Sequence, residues 1–402
     1  MDHALRMLSV VIILVGGWGA RPRLADAGQV DTSAARVFGQ PDFSSNAANN
    51  GGLSARSLSF PSHVALDAQG NLYVADHSNN RVLEYDAPLT AGATADRVFG
   101  QPNFSSNTPD NGGITASSLD SPYGVAVDKQ GNLYVADYNN SRVLEYDAPL
   151  SSSEAASHVF GQPNFSDHSV NTGGLSASTL NFPVGVAVDA QGNLFVADTN
   201  NNRVLEYESP LTTDAVADRV FGQADFFHNT PNSPSLSGAT LSYPWGVTLD
   251  KLGNLYVADN NNNRVLEYDA PLSTGAAANR VFGQPDFSHN AGGLSATGLA
   301  NPFSVAVDGA GNLFVGDYNN NRALEYDAPL SSGAAASLVF GQPDFTHNLA
   351  NNGGVSTRSL WQPDGVAVDA EGNLYVADVS NNRVLQYDWF VVKIYMPLAV
   401  RF

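Results

Sequence analysis

The chain contains no cysteine in its 402 residues. This absence excludes disulfides, thiol catalysis, cysteine-ligated zinc and iron–sulfur clusters. Basic residues are also scarce, since 19 Lys and Arg stand against 39 Asp and Glu and the net charge is −20. Because a surface of this sign repels phosphate backbones and anionic lipid headgroups, we expect no nucleic-acid partner and no attachment to an anionic membrane.

Long apolar runs that could cross a bilayer are missing, and the strongest short run lies near the N terminus. Arg6 precedes the run Met7–Val15, and Ala25 and Ala27 place small residues where a signal peptidase reads them. This order is typical of a secretory signal peptide. A membrane anchor is the alternative, but the run is too short for about 30 Å of hydrocarbon. We therefore predict that residues 1–27 are a cleaved signal peptide and that the protein is secreted, extracellular or periplasmic, with no stable membrane insertion. Export without disulfides favours a bacterial setting.

One motif recurs six times along the chain. Strings of the type NLYVAD begin at residues 71, 132, 193, 254, 312 and 373, with spacings of 61, 61, 61, 58 and 61. The glycine of a second string, FGQ, recurs in phase from Gly39 to Gly341. Both series have their short period between Gly283 and Asn312, so three residues are missing from one loop. A fixed period of this kind indicates a repeat architecture.

Each unit contains four segments with β-strand character, as at residues 124–128, 132–137, 142–147 and 97–101. Val, Tyr and Phe are concentrated in these segments, and Gly, Asn and Asp fill the gaps. Small four-stranded sheets in tandem bury their faces by packing radially. We therefore predict an all-β fold over residues 28–388, a six-bladed β-propeller of four-stranded antiparallel blades. The first RVFGQ string (36–40) precedes the first unit and none follows the last, so the N-terminal strand should close the ring.

The C-terminal tail, residues 389–402 (WFVVKIYMPLAVRF), breaks the repeat and is apolar. Two interpretations are open, an extra edge strand on the last blade and a short envelope-sorting tail. We favour the strand, because an exposed apolar tail promotes aggregation.

Units such as GNLYVADYNNSRVLEYD (131–147) resemble the NHL repeat family of six-bladed propellers, and the resemblance covers roughly residues 36 to 388. The unit here is longer than is usual for the family, and the excess lies in the loop from Phe43 to Pro61 and its equivalents. Intracellular members act in ubiquitin ligation or RNA control with extra domains and basic faces, which this chain lacks. Their roles are therefore not expected here.

The resemblance to propeller enzymes suggests two kinds of metal site that this chain could contain. Peptidyl-amidating lyases hold a histidine-ligated zinc in the channel, but this chain has a single histidine at the innermost strand, His63. Lactonase-type propellers hold calcium with carboxylates and amides, for which Asp364, Asn301 and Gln362 are weak candidates. Calcium is thus the only cofactor that the resemblance suggests, and we otherwise expect none.

The polar residues that every unit repeats are expected to be structural. An Asp ends each second strand and an Arg starts each third strand five residues later, as at Asp76 and Arg81. A bond between them would fix the turn. His228, His289 and His347 share one loop position, but sixfold geometry should keep them too far apart for a shared metal. We interpret them as solvated loop residues.

Function is more often found where the copies differ. Three positions vary near the channel mouth: the residue before the inner-strand Pro, the residue after that Pro, and the residue after the Asp of the second-to-third-strand turn. The resulting candidate ligand-binding rim is Ser62, Tyr123, Val184, Trp245, Phe303, Asp364, His77, Tyr138 and Tyr318. A concave mouth lined by aromatics is the usual form of a ligand site. The alternative is that these rings only plug the channel.

Two functions from different classes follow. The first is a non-catalytic binding or scaffold propeller that presents its loop-rich face to a protein, peptide or carbohydrate. The second is a calcium-dependent lactonase- or lyase-type enzyme with its site at the channel mouth. The near-identity of the six units favours the first, because an asymmetric active site needs specialised copies.

Overall fold

A computed structural model describes residues 32–209, 211–213 and 215–388. The predicted signal peptide, residues 1–27, and the tail, residues 389–402, lie outside the described residues. Within them the fold is the predicted all-β propeller, with 24 strands in six four-stranded antiparallel sheets.

Each sheet is one blade, and its strands run from the channel outwards. The innermost strands are β2 (Pro61–Leu66), β6 (Pro122–Val127), β10 (Pro183–Val188), β14 (Pro244–Leu249), β18 (Pro302–Val307) and β22 (Pro363–Val368). The second strands are β3 (Leu72–Asp76), β7 (Leu133–Asp137), β11 (Leu194–Asp198), β15 (Leu255–Asp259), β19 (Leu313–Asp317) and β23 (Leu374–Asp378). The third strands are β4 (Arg81–Tyr85), β8 (Arg142–Tyr146), β12 (Arg203–Tyr207), β16 (Arg264–Tyr268), β20 (Arg322–Tyr326) and β24 (Arg383–Tyr387). The outermost strands are β5 (Arg97–Phe99), β9 (His158–Phe160), β13 (Arg219–Phe221), β17 (Arg280–Phe282), β21 (Leu338–Phe340) and β1 (Arg36–Phe38). We number the blades 1 to 6 from β2 onwards.

Short 3-10 turns join each second strand to the third: η1 (His77–Asn79), η2 (Tyr138–Asn140), η3 (Thr199–Asn201), η4 (Asn260–Asn262), η5 (Tyr318–Asn320) and η6 (Val379–Asn381). Each is followed by a residue in the left-handed region, such as Asn80 with φ 53°. No helix in the described part of the chain has the length and hydropathy needed to cross a bilayer.

The strand bounds differ slightly from the predicted ones. The inner strand predicted at 124–128 begins at Pro122, because Pro122 still pairs with Asp137 across a β-bulge. The outer strand predicted at 97–101 ends at Phe99, because Gly100 adopts φ +84° and leaves the β region.

The N-terminal strand closes the ring, as predicted. β1 pairs with β24 in register Val37–Leu385, and the sheet order is β1-β24-β23-β22. The interface between blades 6 and 1 is apolar like the others, since Phe38 and Ala377 lie in one core cluster with Val64. Without β1, the outer edge of β24 would be unpaired, and unpaired edges promote aggregation.

Neighbouring blades are held by a repeated aromatic contact. The Phe of each outermost strand packs at an interplanar angle of 59–64° against the Tyr of the third strand in the next blade, as in Phe99–Tyr146 with ring centroids 5.5 Å apart. The same pair closes the ring between Phe38 and Tyr85 at 5.6 Å. Edge-to-face pairs add roughly 0.5–1.5 kcal/mol each to the burial of their area.

The repeated Asp–Arg pairs are structural, as expected. In every blade the Arg Nε donates to the Asp Oδ2 at 2.7 Å, and both side chains are fully buried. In blade 3, the Nη atoms of Arg203 also donate to the carbonyls of Ser176, Thr179 and Phe226. Each Arg thus ties two long loops to one turn. Burial raises the pKa of the paired carboxyls, as at Asp198, and the Arg charge opposes this.

Candidate functional site

One end of the propeller carries the long loops, and we call it the loop-rich face. The chain reaches it after every outermost strand and leaves it at the Pro that starts the next inner strand. Asparagine amides order these loops. Asn49 and Asn79 exchange reciprocal hydrogen bonds of 2.9 and 2.8 Å, and the equivalent pairs of blades 3, 4 and 6 do the same. In blade 5, where the loop is shorter, Asn320 donates instead to the Gly293 carbonyl at 2.9 Å.

The residue before each inner-strand Pro has an unusual backbone conformation. All six are non-glycine residues at positive φ: Phe60, Ser121, Phe182, Tyr243, Asn301 and Gln362. Bulky residues rarely adopt this region. An amide of the preceding blade holds most of them there, since Asn202 Oδ1 accepts the Tyr243 N–H at 2.8 Å and Asn382 Oδ1 accepts the Phe60 N–H at 2.9 Å. Because all six copies share it, this conformation belongs to the fold, whereas the side chains vary.

The variable aromatics of the candidate rim meet over the channel. Trp245 stacks on Phe303 at 3.9 Å between ring centroids, and Phe303 stacks on Tyr318 at 3.8 Å. On its other side Trp245 meets Tyr123 edge-on at 5.0 Å, although their blades are not neighbours. His77 continues the series against Tyr123 at 5.3 Å. We call these five side chains the mouth cluster.

Tyr138 extends the mouth cluster outwards. Its ring lies 5.8 Å from that of Tyr123 and 4.8 Å from that of Phe182. Tyr243 lies 6.4 Å from Trp245 and also borders the cluster. The rings of both are half-buried, so they offer faces to the solvent side. The rings therefore cover the channel and at the same time form an aromatic surface.

A polar pair crosses the channel at the mouth cluster. The Tyr123 hydroxyl donates to Asp364 Oδ2 at 2.5 Å, which links blade 2 to blade 6. Burial raises the pKa of the Asp364 carboxyl well above its ordinary value, more than the hydrogen bond lowers it. Burial, the Asp364 charge and their hydrogen bond raise the pKa of Tyr123. Perturbed groups in a cleft are candidates for function.

Other candidate residues have structural partners. Ser62 is buried and its hydroxyl donates to the Tyr123 carbonyl at 3.0 Å. Val184 is also buried, with 3% exposure. At the turn position of His77, Thr199 and Asn260 bond the Pro carbonyl that starts the next blade, at 2.8 and 3.2 Å. Part of the variation around the mouth therefore serves contacts between blades.

The channel below the mouth contains a pair that sequence reasoning missed. His63 Nε2 lies 3.3 Å from the hydroxyl oxygen of Ser304 in blade 5, and that oxygen also accepts the Val366 N–H at 3.1 Å. The other four blades have glycine at this position, as at Gly124, whose added Cβ would lie 2.2 Å from the Val184 carbonyl oxygen. An alignment of the six units reveals the two exceptions, but not that they meet. Burial lowers the pKa of His63 to about 4.

The three calcium candidates each have a separate hydrogen-bond donor. Asn301 Oδ1 accepts from the Asn319 amide, and Gln362 Oε1 accepts from the Ser380 hydroxyl at 2.6 Å. Asp364 Oδ2 is taken by Tyr123. The loop histidines are exposed, and His228, His289 and His347 each contact the Asp three residues earlier at 2.7 Å. This agrees with their interpretation as solvated loop residues.

Fold and mouth together define a closed six-bladed β-propeller with one aromatic, loop-rich face. Residues 58–85, 119–146, 180–207, 241–268 and 360–387 match the NHL repeat. These segments hold the inner three strands of blades 1, 2, 3, 4 and 6. Five of the six blades therefore contain a match to the NHL repeat, which confirms the resemblance for those blades.

The curated relatives are much longer than this chain. The protein SUPPRESSOR OF QUENCHING 1, chloroplastic, of Arabidopsis thaliana is 25% identical over 351 residues, which cover 84% of this chain and 31% of the relative. Teneurin-4 of Homo sapiens is 26% identical over 369 residues, which cover 82% of this chain and 13% of the relative. The chain thus spans less than a third of either relative's length.

Among solved structures, a structural genomics protein of unknown function from Bacteroides thetaiotaomicron is similar in fold. It superposes with a TM-score of 0.52 at 17% identity, over 90% of this chain and 75% of that one. A likeness at this identity shows the fold alone.

Proposed function

We propose that the protein is a non-catalytic binding or scaffold propeller that presents its loop-rich face to a protein, peptide or glycan outside the cytoplasm. The distribution of exposed apolar side chains carries this proposal. Among the described residues, six of the eight large exposed apolar side chains lie in the long loops: Phe60, Val170, Phe227, Leu294, Leu349 and Trp361. Exposed apolar side chains concentrated in one set of loops are typical of an interaction surface.

The aromatic surface suits a neutral or cationic ligand. Stacked neighbours already fix Trp245, Phe303 and Tyr318, so a ligand that packs on them costs little side-chain entropy. The buried Trp245 Nε1 has no acceptor among the described residues, although an indole N–H usually has one. The net charge of −20 disfavours polyanionic partners.

A calcium-dependent enzyme is the weaker proposal. Metal ligands must be deprotonated, yet burial raises the pKa of the Asp364 carboxyl. The oxygens of Asn301 and Gln362 already accept hydrogen bonds from Asn319 and Ser380. A calcium site would have to break these contacts. Binding without catalysis needs no such rearrangement.

The location outside the cytoplasm rests on the predicted signal peptide at residues 1–27. Cysteine is absent from the chain, so folding in an oxidising compartment involves no disulfide formation. We propose that the mature chain begins at residue 28.

Oligosaccharide and peptide arrays probed with the mature chain test the binding function. A Phe60→Ser/Trp361→Ser variant removes two exposed apolar side chains from the loop-rich face, where they are 46% and 39% exposed. The matched control is Val216→Ser/Leu252→Ser, which removes two from the opposite side, 63% and 80% exposed. We expect the first variant to weaken array binding about tenfold or more, in the range of interface hot spots. Absence of any ligand, or equal losses in the two variants, would contradict the proposal.

A further inference from the structure

The outer edge of blade 2, away from the mouth, contains a cluster that the binding function does not use. Glu145 on β8 pairs in register with His158 on β9, and Asp147 follows the end of β8. One ligand atom from each of these three side chains lies within 4.8 Å of the other two. An imidazole with two carboxylates is a donor set that zinc accepts.

Blades 1, 3 and 4 show what occupies this place when the outermost strand begins with an Arg and two carboxylates face it. In blade 1, Arg97 Nη1 bridges Glu84 Oε1 and Asp86 Oδ1, at 2.7 Å from each. Arg219 in blade 3 and Arg280 in blade 4 pair with their two carboxylates in the same way. In these three blades the guanidinium is therefore the cation between the two carboxylates, whereas in blade 5 the residue that pairs in register with Glu325 is Leu338.

Blade 2 has the two carboxylates without the guanidinium. His158 takes the place of the Arg, and its Nδ1 lies 3.3 Å from Glu145 Oε2. Both atoms are buried and neither makes a well-aligned hydrogen bond. The Glu145 side chain is only 7% exposed. A guanidinium has no lone pair to offer a metal, whereas an imidazole nitrogen has one.

We propose that Glu145, Asp147 and His158 bind one Zn²⁺ in the place that the guanidinium fills elsewhere. Tyr134 donates to Glu145 Oε1 at 2.8 Å, and this hydrogen bond would fix the orientation of the Glu145 carboxylate towards the ion. The side chain of His158 is 31% exposed and Asp147 is exposed, so the ion has an entry path. Zinc holds its N and O ligands at about 2.0–2.2 Å. The exposed Asp147 side chain is free to move to this distance and complete the set of three ligands. Three protein ligands leave the fourth position to water.

Calorimetric titration of the mature chain with ZnCl₂ tests this site. To remove the three exposed His–Asp contacts as alternative zinc ligands, the background carries His228→Gln, His289→Gln and His347→Gln. In this background we expect one equivalent of Zn²⁺ per chain. His158→Arg restores the residue of blades 1, 3 and 4 and should weaken that equivalent by about 100-fold or more, beyond what loss of an outer-shell contact costs.

A gain-of-site variant is the reciprocal test. Arg97→His in blade 1 places an imidazole beside Glu84 and Asp86, and we expect it to add a second equivalent. Melting curves of both variants without metal check that each is folded. Zinc binding that is unchanged by His158→Arg, or absent from the background chain, would overturn the proposal. Neither outcome bears on ligand binding at the loop-rich face, which the arrays measure separately.

Discussion

Replacing a buried arginine tests the idea that each Asp–Arg pair holds the loop-rich face together. In Arg203→Met, the aliphatic stem keeps most of its volume and the guanidinium is lost. Arg203 donates to Asp198 Oδ2 at 2.7 Å and to three backbone carbonyls at 2.7–2.8 Å. The variant leaves all four acceptors without this donor inside the protein.

The expected loss of unfolding free energy is about 3–5 kcal/mol, the range for breaking one half of a buried ion pair. The pH dependence has a definite sign. Burial already raises the pKa of Asp198, and Arg203 opposes this rise. Without the Arg, the folded-state pKa lies further above the unfolded one, so the folded variant binds a proton that the unfolded chain releases. The deficit should therefore be largest near pH 8 and shrink as the pH falls.

Urea unfolding followed by both circular dichroism and tryptophan fluorescence is the assay, because coincident curves justify a two-state analysis. Arg56→Met is the control. Arg56 is exposed and its Nε donates to the Thr94 hydroxyl at 2.7 Å, so its loss should cost less than about 1 kcal/mol. If Arg203→Met costs no more than this control, the buried pair does not have the structural role assigned to it.

Three further predictions concern the channel, a loop glycine and the closure. His63 has a folded-state pKa of about 4 against an ordinary value of 6.5, so the free energy of unfolding falls by up to about 3 kcal/mol as the pH falls from 6.5 towards 4. His63→Gln should remove this loss. Identical pH profiles of the variant and the unmodified protein in urea unfolding would contradict the prediction. Gly39→Ala should lower the free energy of unfolding by about 2 kcal/mol or more, because φ is +83° and the added Cβ would lie 2.4 Å from Leu58 Cδ1. The control is Gly51→Ala, at φ +80° with no atom within 4 Å, which should cost about 1 kcal/mol. Equal shifts of the melting temperature in the two variants would refute the steric argument. Phe38→Ala, at 0% exposure in β1, should cost about 3–5 kcal/mol in urea unfolding, whereas a negligible loss would mean that β1 does not stabilise the closed ring.

Repetition made the fold predictable from the sequence. Six in-phase copies of the repeat predicted the number of blades. The segment 36–40 has the sequence of an outermost strand but precedes the first unit, and this position indicated closure by β1. The Asp-x-x-Gly turns were predictable too, since Asp67 Oδ1 accepts the Gln69 N–H at 2.9 Å and Gly70 has φ +84°. Strand ends were less predictable, because a bulge after Pro122 and a left-handed Gly100 move them by two residues.

The site was only partly predictable, because its contacts join residues far apart in the chain. The difference between copies located Tyr123, Trp245 and Asp364 near the mouth. It did not show that Tyr123 bonds Asp364, 241 residues away, across the channel. His63 was predictable as the inner histidine, but its contact with Ser304 was not, because an alignment of the six units shows both as exceptions to glycine without showing that they meet across the channel.

Hydrogen–deuterium exchange of the mature chain, with and without the strongest array ligand, tests the central claim most directly. The account predicts slower exchange in the long loops 39–60 and 341–362, which contain Phe60 and Trp361, and no change in the turns 67–71 and 250–254 at the opposite end. Protection confined to those opposite turns, or no protection in the long loops, would contradict binding at the loop-rich face.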